Sequence, residues 1–213
     1  MAKPTSDTPA AADPALRADA RRNYDLLLTA ARVTFAEHGT DASLREVARR
    51  AGVGIGTLYR HFPTREALVE ALMRNGFDSL RAKAEELLTS PAPGDALIIW
   101  LREMAVRSVA YHGLPASVLA ALHDEGSHLY SSCHAMRAAA ARLLVRAQRS
   151  AAVRPDVTAE ELFVLVAAIA WAGERTSGGA ELTDRLLSLM MTGLQTGLPR
   201  ITDHGSRKAN GSL

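Results

Sequence analysis

The sequence predicts an all-α fold, and three observations carry that reading. Apolar residues recur at i, i+3, i+4 and i+7 through most of the chain. Period-two alternation is never sustained, and runs of β-branched residues are few. Glycine and proline punctuate segments of helical length, at Gly39, Gly52, Pro63, Gly113, Gly126, Pro155 and the Gly178–Gly179 pair. A length of 213 residues admits one large domain or two modest ones, and 47% hydrophobic with 23% charged residues is ordinary for a globular protein.

Residues 1–16 are rich in Ala, Pro, Thr and Asp, with Pro4, Pro9 and Pro14, and predict a disordered tail. A small three-helix unit is expected over 17–63. Its first helix is DLLLTAARVTFAEHG, where Leu27, Leu28, Ala31 and Phe35 share a face and Gly39 closes the C-terminus with His38 at the negative pole. The second is DASLREVARRAG. Ser43 and Glu46 have capping-box spacing, and Leu44, Val47, Ala48 and Ala51 follow at helical intervals. A third begins near Gly54 or Ile55 and stops before Pro63. Thr64 caps a fourth, TREALVEALMRNGFDSLRAKAEELL, which leads into a larger helical unit over 64–198. That unit continues with helices in 94–113, 114–126, 127–151, 158–176 and 181–197. Residues 199–213 read as a second disordered tail.

The stretch AGVGIGTLYRHF, Ala51 to Phe62, needs a decision. Its glycines resemble a phosphate loop, but such a loop follows a strand, and here REVARRA precedes it as a helix. Gly52 instead sits at the C′ position of one helix just before the next, with Val53 as an apolar plug. Helix, short turn, helix is the helix-turn-helix pattern. Leu58 and Phe62, four apart, face the small core. Thr57, Tyr59, Arg60 and His61 remain outward, with chemistry suited to phosphates and base edges. Between Ala42 and Phe62, Arg45, Arg49, Arg50 and Arg60 face one acid, Glu46. This local excess gives a nucleic-acid footprint that the formal net charge of +2 does not. Arg49 and Arg50 read as a solvated face, and Arg17, Arg21 and Arg22 as a solvated helix start.

On AARVTFAEHGTDASLREVARRAGVGIGTLYRHFPTREAL, the chain resembles the DNA-binding domain of TetR-family bacterial regulators. The resemblance implies a three-helix DNA-binding domain followed by a larger helical ligand-binding and dimerisation domain. It implies phosphate contacts from Ser43, Thr57, Tyr59, His61 and Arg65, with Arg45, Ile55, Gly56 and Arg60 facing bases. Positions 54 to 56 often carry Ser, Lys or Gln in the family but are Gly, Ile and Gly here. Direct readout by this turn is therefore thin, and DNA shape gains weight.

Leu162 to Trp171 is apolar nearly all round, so burial on two sides is expected, one of them against a second copy. Leu162, Leu165, Val166 and Ile169 are assigned to that interface, with Leu186 and Met190 from the last helix. Recognition helices used in pairs fit a homodimer on a palindromic double-stranded operator. Trp100, Met104, Tyr111, His112, His134 and Met136 are candidates to line an effector pocket. With Arg102 about 200° from Trp100 around its helix, the pocket side is apolar and favours a largely apolar effector. His112, His123, His128, Cys133 and His134 lack metal-site spacing, so neither metal nor cofactor is expected. The function expected is an operator-bound repressor released by an effector. Its rivals are a small all-α enzyme using the histidines, for which no acid–base or nucleophile motif appears, and a DNA-binding adaptor without a ligand. A single cysteine, no signal-peptide pattern and no apolar run of about 20 residues point to a cytoplasmic protein with no membrane contact.

Overall fold

A computed structural model describes residues 14–108 and 114–195. The described residues form helices and turns, with no strand among them: α1 (Pro14–His38), α2 (Leu44–Arg50), α3 (Ile55–His61), α4 (Arg65–Leu87), α5 (Pro93–Ser108), α6 (Ala116–His123), α7 (His128–Arg149), α8 (Ala159–Glu174) and α9 (Gly179–Leu194). Both expected tails fall largely outside the described residues. Residues 14–16, which the sequence reading placed in the N-terminal tail, belong to α1, which Pro14 opens. Proline suits a first helical position, where no N–H partner is needed, and the Ala, Leu and Arg that follow favour helix.

α1, α2 and α3 form the small unit. Leu27, Leu28, Ala31 and Phe35 of α1 are buried against Val47 and Ala48 of α2 and Leu58 of α3. Gly52 takes φ 70°, which places the Val53 N–H on the Ala48 carbonyl at 3.1 Å and its own N–H on the Arg49 carbonyl at 3.1 Å. This is a Schellman closure, and half-buried Val53 packs on the core behind it.

The capping box expected at Ser43 does not form: the Ser43 side chain makes no cap hydrogen bond. Glu46 turns away to Arg49 and Arg50, which offer charged donors one turn further on. A complete box appears instead at α8, between Thr158 and Glu161, where the next turn is Leu-Phe-Val-Leu and holds no competing cation. Thr64 caps α4 as expected, accepting from the Ala67 N–H at 3.1 Å.

In the larger unit, α4 packs along α7, while α5 lies between them and the α8–α9 pair. Trp100 is fully buried at the centre. Its Nε1–H donates to the Leu80 carbonyl at 2.9 Å, and Phe163 of α8 meets its ring edge-on at 6.0 Å. α8 and α9 approach closely at Gly173 and Gly179: a Cβ on Gly179 would stand 1.9 Å from the Gly173 carbonyl oxygen.

Candidate nucleic-acid interface and effector cleft

α3 is held by its inner face and free on its outer one. Leu58 and Phe62 are buried, while Tyr59, Arg60 and Gly56 are exposed and Thr57 and His61 are half-buried. Tyr24 of α1, which sequence reasoning missed, braces the end of α3. Its ring lies 5.0 Å from Phe62 and 6.1 Å, edge-on, from His61. Only its placement in an otherwise polar turn of α1 could have signalled this.

The charges on α2 divide. Arg49 pairs with Glu46 at 2.7 Å, and Arg50 bridges Glu46 at 2.8 Å and Glu37 of α1 at 2.6 Å. Arg45 and Arg60 enter no ion pair among the described residues and stay exposed. On α2 and α3 the unpaired cations open to a polyanion are therefore Arg45 and Arg60, and the Ser43 hydroxyl makes no cap hydrogen bond at the start of α2. Arg65 is used internally: its Nη1 donates to the carbonyls of Thr40 and Ala42, both at 2.6 Å, and so fixes the start of α4 to the turn before α2. Ile55 is half-buried against the core, so it presents only part of its side chain outward.

Arg49 and then Arg50 hold the Glu46 carboxyl down to about 2 by direct hydrogen bonds. A carboxyl depressed on folding contributes stability that is complete above its unfolded value, about 4.3, and lost as pH falls through the folded one. Acidification from about pH 4.5 to 2 is therefore expected to release the Glu46–Arg49 and Glu46–Arg50 pairs within α2 and so weaken that short helix. Melting curves across that range should show a weaker pH dependence for Glu46→Gln than for the parent, and identical slopes would remove Glu46 from the linkage.

Gly56, inside α3, has no internal reason to be glycine, whereas Gly54 is the N-cap, a position that accepts glycine well. Gly54 adopts φ −69° and ψ 148°, open to any residue, and a Cβ on Gly54 or Gly56 would meet nothing within 4 Å. At Gly56 the chain thus forgoes helix stability, about 1 kcal/mol for Gly against Ala inside a helix, with no packing gain.

Among the residues assigned to an effector, Trp100 and Met136 are buried in the core, Met104 is half-buried, and His134 is exposed, stacked on Tyr130 at 6.1 Å. Tyr111 and His112 lie outside the described residues. A cleft of about 570 Å³ opens elsewhere, where the end of α1 meets α5, α8 and α9. Ala105, Val106, Ala170 and Leu187 supply apolar walls, Ala36 reaches in from α1, and the Arg102–Asp184 pair, at 2.8 Å, stands at its edge. None of the four described effector candidates, Trp100, Met104, His134 and Met136, is among its lining residues. The signal available was the small-residue pattern Gly173, Gly179, Ala180.

The assigned interface residues also divide. Leu162 and Val166 are buried within the chain, Ile169, Leu186 and Met190 are half-buried, and Leu165 is exposed. Beside Leu165, Val164, Trp171 and Leu189 expose 62%, 49% and 57% of their surface. Together they leave an apolar face on α8 and α9.

The histidines are scattered: no group of three His, Cys, Asp or Glu among the described residues is placed to hold a metal ion. Burial pushes the Cys133 thiol up, away from thiolate. No described helix is long and apolar enough to cross a membrane.

Residues 27–72 match the family described as bacterial regulatory proteins, tetR family, and residues 92–196 match the transcriptional regulator SbtR-like, C-terminal domain. A TetR transcriptional regulator from Streptomyces coelicolor is 37% identical, with a TM-score of 0.66 over 81% of this chain and 98% of that one. The chain belongs to the TetR family. Membership accounts for the two-part helical fold and for the free outer face of α3. The HTH-type transcriptional repressor KstR2 of Rhodococcus jostii is 32% identical over 128 residues, 59% of each chain. The match thus spans less than two thirds of that curated relative. The TetR-like regulator LfrR of Mycobacterium smegmatis, solved in complex with proflavine, shares the fold at 23% identity, with a TM-score of 0.63 over 83% of this chain and 98% of its own.

Proposed function

We propose that this TetR-family chain is a homodimeric transcriptional repressor that binds a palindromic operator and releases it on binding a small, largely apolar effector. The observation that carries the DNA-binding part is Gly56, which the fold itself does not require, with Gly54 equally open beside it. Their open surroundings suit a partner whose surface comes close to the backbone, as base edges do in a major groove. Ser43, Thr57, Tyr59 and His61 would position the helix on phosphates, and Arg45 and Arg60, with Gly56 and the exposed part of Ile55, would meet the bases. Arg65 would act as the anchor that keeps this set aligned with α4. The apolar face around Leu165 and Trp171 supports pairing with a second copy, which would set two recognition helices about 34 Å apart. The repressor names of KstR2 and LfrR, and the proflavine bound by LfrR, support effector-controlled repression. The cleft between α1, α5, α8 and α9 joins both units, so an occupant there would bias their relative placement and hence DNA affinity.

The test is selection of bound DNA from a random pool, followed by binding measurements on variants. Gly56→Ala should stabilise the fold by up to about 1 kcal/mol and weaken operator binding by about tenfold or more. Tyr59→Phe should weaken all sequences alike, and Arg60→Ala should relax one or two operator positions by about 1–3 kcal/mol. Unchanged affinity in Gly56→Ala, together with an unchanged sequence preference in Arg60→Ala, would remove α3 from the interface.

A further inference from the structure

A second cleft, of about 430 Å³, lies at the far end of the larger unit. Arg142, Val145, Arg146 and Arg149 of α7 line it with Ala141 and with Leu88, which caps α4. The arginines stand at i, i+4 and i+7, on one face of α7. Like charges at that spacing destabilise a helix. Dipole complementarity explains Arg146 and Arg149, which occupy the last turn, but not Arg142, one turn before it.

Carboxylates do not balance the cluster. Glu85 and Glu86, at the end of α4, are held by Arg81 at 2.8 Å and Lys83 at 2.9 Å on their own helix. Arg142 and Arg149 are exposed and take part in no ion pair among the described residues. Arg146 donates through Nη2 to the Ser90 carbonyl, in the turn that follows α4. Its Nη1 is buried without a hydrogen-bond partner. A buried orphan donor on a cation is costly, and natural proteins leave few of them.

We propose that this cleft is a binding site for a small organic anion with a compact apolar body. Guanidinium forks match the paired oxygens of a carboxylate, sulfonate or phosphate. Leu88, Ala141 and the exposed part of Val145 supply the apolar wall beside them. The site is separate from the DNA surface: the 23 residues of α4 set Leu88 about 35 Å from the Arg65 anchor. The proposal is independent of the repressor reading.

Calorimetric titration of the full chain tests it with three probes: naphthalene-2-sulfonate, inorganic phosphate and the neutral naphthalene-2-sulfonamide. The sulfonate is expected to bind about tenfold or more tightly than phosphate, and the sulfonamide to lose at least as much. Arg142→Gln with Arg149→Gln should weaken the sulfonate by about tenfold and leave operator affinity unchanged. Arg146 is kept because it holds the Ser90 turn. Equal sulfonate binding by parent and variant, or none at millimolar concentration, overturns the site. Equal affinity for phosphate and sulfonate overturns its apolar half.

Discussion

Trp100→Ala is expected to cost about 3–5 kcal/mol, a large part of the total stability of an ordinary domain. The indole is fully buried, with α4 and α8 against it, so truncation opens a cavity that the surrounding helices must either bear or collapse into. Trp100→Phe keeps an aromatic ring facing Phe163 and removes the hydrogen bond to Leu80, so it should cost nearer 1 kcal/mol. Urea unfolding of the three proteins measures both steps. A cost below about 1 kcal/mol for the alanine variant would mean that Trp100 borders open space, as a residue lining a ligand pocket does, instead of filling a core.

The second large effect is expected at Gly179. An alanine Cβ there would meet the Gly173 carbonyl oxygen at 1.9 Å, and that oxygen is backbone, with no rotamer to yield. α8 and α9 must separate, and overpacking of this kind costs about 1–3 kcal/mol. Gly193, on the same helix, has nothing within 4 Å of a Cβ, so Gly193→Ala should stabilise by up to about 1 kcal/mol. Thermal melts of the two variants should therefore shift in opposite directions. Equal shifts would show that the α8–α9 contact does not depend on glycine.

The helices of the small unit were legible because their signals are local. Leu27, Leu28, Ala31 and Phe35 needed only helical spacing, and Gly52 needed only its place between two periodic segments. The Ser43 box failed for a reason spacing does not carry: Glu46 had two arginines to choose over a backbone N–H. The outer face of α3 was legible from Leu58 and Phe62, whereas Tyr24 and Arg65 act across turns from distant helices. Periodicity also showed that α8 is apolar on several sides without showing which side faces inward. Leu162 and Val166 turn into the chain and Leu165 out of it because of where α5 and α9 lie. The effector cleft is harder still, since four separate helices build it.

The two tryptophans make the protein its own optical reporter. Trp100 is sealed from water and hydrogen-bonded to a carbonyl, so its emission should be blue-shifted and closed to aqueous quenchers. Trp171 is half exposed on the apolar face, with the Arg175 guanidinium 4.5 Å over its ring. That cation draws iodide to the ring, so Trp171 should be selectively quenched while the face is open. Iodide quenching followed along a dilution series thus reads the state of the α8–α9 surface, while the residual blue emission reads the integrity of the core, both in one unlabelled sample.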